Sequence, residues 1–218
     1  MVIADVLLWK IMMKNMKGIF EMKHNKILAI VPIRAGSKRL LDKNIKPFAG
    51  KPLFAITLDT ALKSKHITDI VVTTDCPVTK QICKQKYPKV KVIDRPEELA
   101  TDDALSIGFI KHVMQTNQQR TIVLLQVTSP LRTTEQIDDA IEYFYAQGQL
   151  SLVSGYYDPT GFNLNGAIYI NKRSVLENCS FGCYKYPISK FYMMKDDSID
   201  IDTEEEFYKA EGKYNDNR

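Results

Sequence analysis

Lys26-Ile27-Leu28-Ala29-Ile30-Val31 runs directly into Pro32-Ile33-Arg34-Ala35-Gly36-Ser37-Lys38-Arg39, and the join between them decides how the rest of the chain reads. The first stretch is short and almost continuously apolar, as a strand covered on both faces must be. The second is a basic loop with one glycine. Ile70 to Thr74 and Thr121 to Leu125 repeat the apolar run, and Val90 to Ile93 is a weaker version. Between the runs lie amphipathic stretches. Leu53, Leu58, Ala61 and Leu62 line one face of 53–64; Ile107, Ile110 and Met114 do so for 104–116; Ile137, Ala140, Ile141 and Phe144 do so for 134–146. Buried strands alternating with such helices predict a three-layer α/β fold with a mostly parallel sheet and right-handed crossovers.

Open α/β sheets bind ligands beyond the carboxyl ends of their strands, and the unusual residues of this chain fall there. After the first strand, residues 34–51 carry Arg34, Lys38, Arg39, Lys43, Lys46 and Lys51 against a single Asp42. Gly36 allows a sharp turn that brings backbone N–H groups toward a ligand, and the cations can neutralise phosphate oxygens. The order G-x-x-x-x-G-K-[ST] is absent, so this is not a Walker A loop. A solvated basic loop is the competing reading. Its place directly after the first buried strand favours a phosphate cradle.

Asp75 follows the second strand, and Gln126-Val127-Thr128-Ser129-Pro130-Leu131-Arg132 follows the Thr121–Leu125 strand. Gln126 offers both a donor and an acceptor at a strand end, whereas Thr128 and Ser129 are also explained as a polar loop capping the helix after Thr133. Thr101-Asp102-Asp103 reads as the cap of the next helix. Ser198-Ile199-Asp200-Ile201-Asp202-Thr203 alternates polar and apolar residues, so an extended strand would put Asp200 and Asp202 on one face. Two carboxylates so placed can hold Mg²⁺, although a solvent-facing strand edge accounts for them equally. Thr203-x-x-Glu206 is a capping box opening a helix, and Asn165-Gly166 reads as a turn before a buried strand.

The totals are consistent with one domain, or a domain with a small appendage. With 218 residues, 44% of them apolar, the chain can bury a sizeable core; a net charge of +4 with scattered lysines offers no nucleic-acid groove. Such a mild excess suits triphosphates and carboxylated sugars. Cys76, Cys83, Cys179 and Cys183 form no CxxC pair and no familiar zinc spacing, so free thiols in a reducing cytosol are expected. Residues 1–25 read as an extension or an overcalled start, with the working domain at 26–218. The apolar patch from Val6 to Trp9 is too short to span a bilayer, and no signal-peptide pattern follows. The expectation is a cytoplasmic protein without membrane attachment.

Pro32 to Arg39, then Lys43-Asn44-Ile45-Lys46 and Gly50-Lys51-Pro52-Leu53, resembles the signature of the acylneuraminate cytidylyltransferases (CMP-sialic acid synthetases), whose relatives activate legionaminic and pseudaminic acids. Four further segments are similar in the same order: Arg95 to Asp102, Leu124 to Arg132 (with Val127 where the family usually has Pro), Asn165 to Ile170, and Ser198 to Thr203. The resemblance spans about residues 26–211. It implies the nucleotide-diphospho-sugar transferase (Rossmann-like) architecture and transfer of CMP from CTP to an acidic sugar with release of pyrophosphate. By the same likeness, Arg34, Gly36, Ser37, Lys38, Lys43, Asn44, Arg95 and Ser106 handle the nucleotide, with Lys38 and Arg34 helping pyrophosphate leave. Gln126, Thr128, Ser129 and Asn165 contact the base or the sugar, and Asp200 and Asp202 hold Mg²⁺.

One departure stands out. Only Tyr156 to Leu164 separate Val153-Ser154-Gly155 from Asn165-Gly166, where family members generally insert several tens of residues. That insert forms an arm used in subunit pairing and in shaping the sugar pocket, so a homodimer and the identity of the sugar stay open. Three rivals also stay open: a related nucleotidyltransferase with another pair, such as GTP and a sugar phosphate; a non-catalytic nucleotide- or sugar-binding homologue; and, last, a nucleic-acid-binding module.

Overall fold

The computed structural model describes residues 26–179 and 188–216; residues 1–25 and Cys183, on which expectations were placed above, lie outside them. Strand β1 is Ile27–Ile33, and every residue but Pro32 is buried. A short antiparallel pair, β2 (Pro47–Phe48) and β3 (Lys51–Pro52), leads into helix α1 (Leu53–Lys63). Strand β4 (Asp69–Thr74), helix α2 (Pro77–Lys86) and strand β5 (Lys91–Asp94) follow, then α3 (Ser106–Met114), β6 (Thr121–Leu125) and α4 (Thr134–Ala146). The chain continues through β7 (Ser151–Asp158), β8 (Gly161–Lys172), α5 (Arg173–Glu177) and β9 (Ile188–Tyr192) to α6 (Glu204–Asp216).

Seven strands form one sheet in the order β5-β4-β1-β6-β8-β7-β9. β1 pairs in parallel with β4 and with β6, and β4 with β5. β8 enters antiparallel beside β6, β7 is antiparallel to β8, and β9 runs parallel to β7. The sheet is therefore mostly parallel, as expected, with β8 as the reversed strand.

Period-two alternation in β1 supplies both faces of the core. Ile27, Ala29, Val31 and Ile33 pack with α1 and α4 (Leu53, Phe54, Ile137, Ile141 and Phe144) and with Phe207 of α6. Leu28 and Ile30 pack on the other face with Phe109 and Val113 of α3 and Leu176 of α5. Three layers result. The cysteines within the described residues, Cys76, Cys83 and Cys179, are free and buried. No helix among these residues is long and apolar enough to cross a membrane.

Three local expectations change. Asn165-Gly166 is not a turn: both lie inside β8, opposite an irregularity in β7 between Val153 and Gly155, and the chain reverses at residues 159–160 instead. There Asp158 accepts from the Thr160 N–H at 2.8 Å. Residues 198–202 form no strand, although their alternation survives. Ile201 is fully buried and its N–H donates to the Thr128 carbonyl at 2.8 Å, which leaves Asp200 and Asp202 on the opposite side. Finally, α4 is capped by Thr133 and Gln136 in a reciprocal capping box, not by Thr128 or Ser129. The Thr203/Glu206 box of α6 forms as expected, with the Thr203 N–H to Glu206 at 2.8 Å and the Glu206 N–H to Thr203 at 3.3 Å.

Candidate active site

A cleft of about 230 Å³ opens beyond the carboxyl ends of β1 and β6, where the sheet rule places ligands. Arg34, Ser37, Lys43, Asn44, Arg95, Ser106, Gln126 and Thr128 line it, drawn from loops far apart in sequence. The basic loop is held open by its own chemistry. Gly36 takes a left-handed φ of 65°, which an L side chain would resist. The Ala35 N–H donates to Asp75 Oδ1 at 2.8 Å, and Asn44 Nδ2 donates to the Arg34 carbonyl at 3.0 Å. Asn44 thus pins the loop while lining the cleft, and Asp75 anchors its start.

The decisive contact joins the two ends of the chain. Lys43 is buried, and its Nζ donates to the Ile201 carbonyl at 2.5 Å and to Asp202 Oδ1 at 3.1 Å. Arg39 Nη1 reaches Asp202 Oδ2 at 2.5 Å. A cation that lines this cleft and an acid of the last loop therefore meet at Lys43, while Asp200 lines another cleft, of about 360 Å³, with Asn165 and Glu206. Burial and the charge of Asp202 push the Asp200 carboxyl above the usual range, against a hydrogen bond from Thr128 that lowers it.

Two assignments shift. Asp102 does not cap α3, whose first residue is preceded by Leu105 with no side-chain cap. Instead it pairs with Arg34 Nη2 and Lys38 Nζ, each at 2.5 Å, across the mouth of the cleft. Hydrogen bonds from Lys38 and Arg34 hold its carboxyl below the usual value, and the same contact raises Lys38. Lys38 is otherwise solvent-exposed and does not line the cleft. Ser129 is fully buried and donates to the Asn165 carbonyl at 3.3 Å, and Asn165 accepts from Ser154 at 2.7 Å and donates to Ser198 at 2.9 Å. Both brace the sheet rather than face the first cleft.

Arg95 is buried in the cleft wall. Its Nη2 donates to the Thr73 carbonyl at 2.8 Å, its guanidinium lies 4.5 Å from the centre of the Phe109 ring, and burial pulls it down to about 10. Beyond Gln126 and Ser106, which border both, lies a second cleft of about 220 Å³, with Leu105, Leu124, Val153, Tyr169, Leu176 and Ile188 among its more apolar walls. A polar, charged cleft and a more apolar one thus share a border.

A family model described as cytidylyltransferase matches residues 28–170, which include every strand that builds the first cleft. The chain belongs to the cytidylyltransferase family. The CMP-N,N'-diacetyllegionaminic acid synthase of Legionella pneumophila is 34% identical over 215 residues, covering 82% of this cytidylyltransferase-family chain and 91% of that protein. The N-acylneuraminate cytidylyltransferase of Streptococcus agalactiae serotype III (strain NEM316) is 34% identical over 219 residues, covering 84% of this chain but 52% of the relative. The chain thus spans about half the length of that curated relative. In fold, it is similar to a CMP:2-keto-3-deoxy-manno-octonic acid synthetase solved in complex with CTP, at a TM-score of 0.73 and 15% identity, covering 88% of this chain and 100% of the other.

Sequence reasoning missed the part that Asp102 plays at this cleft, hidden by a plausible capping role, and found Asp75 only as a strand-end residue without its bond to the loop.

Proposed function

We propose that this protein transfers CMP from CTP to an N-acylneuraminate or a related nonulosonic acid, releasing pyrophosphate. The observation that carries this reading is the tie from Lys43, which lines the first cleft, to Ile201 and Asp202, which supports phosphate-type cations and metal-type carboxylates acting side by side. Arg34, Ser37, Lys43, Asn44 and Arg95 take the triphosphate side, with Gly36 setting the loop. Lys38 and Arg34 exchange Asp102 for phosphate oxygens as the nucleotide enters, the same charge-assisted contact with a different anion. Ser106 and Gln126, on the border of the two clefts, read the base and the acceptor, and Thr128 steadies Asp200. The sugar acid occupies the second cleft.

The residues fit a divalent cation of the Mg²⁺ type. Among the described residues no three His, Cys, Asp or Glu side chains form a self-sufficient cage. Mg²⁺ needs none, because it keeps several waters and takes one or two carboxylates together with substrate phosphates. Asp200, whose carboxyl is pushed up by burial and by Asp202, would be stabilised in its charged form by a neighbouring cation. Asp200 and Asp202 would hold the ion, which when bound supplies charge neutralisation at the phosphates.

The chain's own residues do the rest by positioning and electrostatics. The acceptor's anomeric hydroxyl attacks the α-phosphorus in line, the bond to the β-phosphate breaks, and the cations of the first loop receive the charge that develops on pyrophosphate. A cytoplasmic setting suits these substrates.

The test is a matrix of purified protein with each nucleoside triphosphate, Mg²⁺ and a panel of nonulosonic acids, read as pyrophosphate release. Turnover with CTP and at least one such acid supports the reading; none with any pair ends it.

A further inference from the structure

Arg132 is the least exposed cation among the described residues, with 2% of its surface accessible. No carboxylate among those residues pairs with it. Its Nη1 donates to the Ala167 carbonyl at 2.7 Å and the Gln126 carbonyl at 3.2 Å, its Nη2 donates to Thr57 Oγ1 at 3.1 Å, and its Nε has no partner. Burial pulls this guanidinium down to about 9. A buried charge without a counter-charge is costly, and an apolar side chain of similar volume would fill the space without that cost. The arginine must therefore accomplish something that packing alone would not.

What it touches shows what that is. The Gln126 carbonyl ends β6, the Ala167 carbonyl belongs to β8, and Thr57 stands on α1. Gln126 borders both clefts. Gly166, next to Ala167, adopts a φ of 70°, and a Cβ there would lie 3.2 Å from Gln126 Oε1 and 3.6 Å from Asp200 Oδ2. The Gln126 carboxamide and the Asp200 carboxylate thus approach each other over a bare stretch of backbone. Arg132 clamps the two main-chain segments that carry this junction.

We propose that Arg132 is a positioning residue for the transfer reaction: its grip on Gln126 and Ala167 sets the Gln126 carboxamide against Gly166, beside Asp200, where the two clefts meet. The proposal rests on the functional reading above. Only a forked, planar donor reaches acceptors on three elements at once, so lysine cannot substitute.

The experiment uses the full chain with Arg132→Lys, Thr57→Val, Gln126→Ala and the double variants Arg132→Lys/Gln126→Ala and Thr57→Val/Gln126→Ala. Crystal structures of the single variants report the Gln126 side chain directly, and steady-state rates report its use. In Arg132→Lys the carboxamide leaves Gly166, kcat falls about tenfold or more, and the melting-temperature rise produced by CTP is retained, because the triphosphate cations are untouched. Each double variant is within about twofold of Gln126→Ala alone, as expected when both changes remove one shared contribution. Thr57→Val, which removes one anchor, gives a smaller loss that Gln126→Ala likewise masks, and it decides the matter if Arg132→Lys does not fold. A Gln126 carboxamide unmoved in the variant structures overturns the proposal, as do losses that multiply in the double variants. If the wild-type protein turns over no substrate pair, the functional reading fails, and the structures still decide whether Arg132 places Gln126.

Discussion

Asp102 pairs with Arg34 and Lys38 as a phosphate oxygen would, so on the proposed function it competes with CTP for these cations. Asp102→Asn removes the competitor and leaves both cations in place. Its KM for CTP should fall about three- to tenfold, the effect weakening at high salt because these groups are partly exposed; an unchanged or higher KM would show that the ion pairs only order the loop. Lys43 is the opposite case. It is buried and bonded to a main-chain carbonyl, so Lys43→Met strands that carbonyl and should cost about 1–3 kcal/mol in denaturant unfolding. At this scale the sequence was legible where chemistry is local. The Thr203/Glu206 box and the loop-forming Gly36 could be read from their neighbours. Asp102 could not, because its partners lie more than sixty residues away and nothing beside it points to them.

Among the elements, α4 is fastened to the α1–β4 connection by charge. Glu142 accepts from Lys65 at 2.8 Å and lies 2.9 Å from His66 Nε2. Burial pushes the Glu142 carboxyl up, but the hydrogen bonds from Lys65 and His66 together outweigh it and hold the group below its ordinary value. A depressed carboxyl stabilises the fold above its unfolded pKa of about 4.3, and that contribution fades as pH falls through the lower folded value. Glu142→Gln should therefore melt below wild type at pH 7, with the gap closing toward pH 3. A gap independent of pH would assign the effect to packing.

The β7–β8 hairpin depends on contact, not charge. A Cβ at Gly155 would sit 2.2 Å from the Asn163 carbonyl oxygen. Gly155→Ala should destabilise the fold by about 2 kcal/mol or more in chemical denaturation; a loss under about 0.5 kcal/mol would mean that the hairpin yields freely. This hairpin is also where the sequence misled. Asn165-Gly166 has the composition of a turn, but seven-strand pairing claims both residues for β8, and the positive φ of Gly166 serves an irregularity in the sheet.

For the whole molecule, the buried strands β1, β4 and β6 were legible because parallel strands covered on both faces advertise themselves as apolar runs, while β5, an edge strand with no buried residue, gave the weaker run. On the β7–β8–β9 side only the buried strand after Gly166 was legible, because the polar residues there, Ser154 and Asn165 among them, satisfy each other across the sheet. The same holds for the site. Both charged ends were visible as separate clusters, while their meeting through Lys43 and Asp202 is a property of the fold alone. The short link between β7 and β8 replaces the longer insert that the family resemblance leads one to expect, and the first cleft forms without it.

On the proposed function, the first-loop cations and the paired aspartates act as one CMP-transferring site. Its most direct test is pyrophosphate release from CTP, Mg²⁺ and the best nonulosonic acid in the panel, comparing wild type with Asp202→Ala under identical conditions. Steady turnover by the wild type and a loss of about a hundredfold or more in the variant, with its fold intact by circular dichroism, are expected. Equal rates in the two proteins would contradict the proposed function.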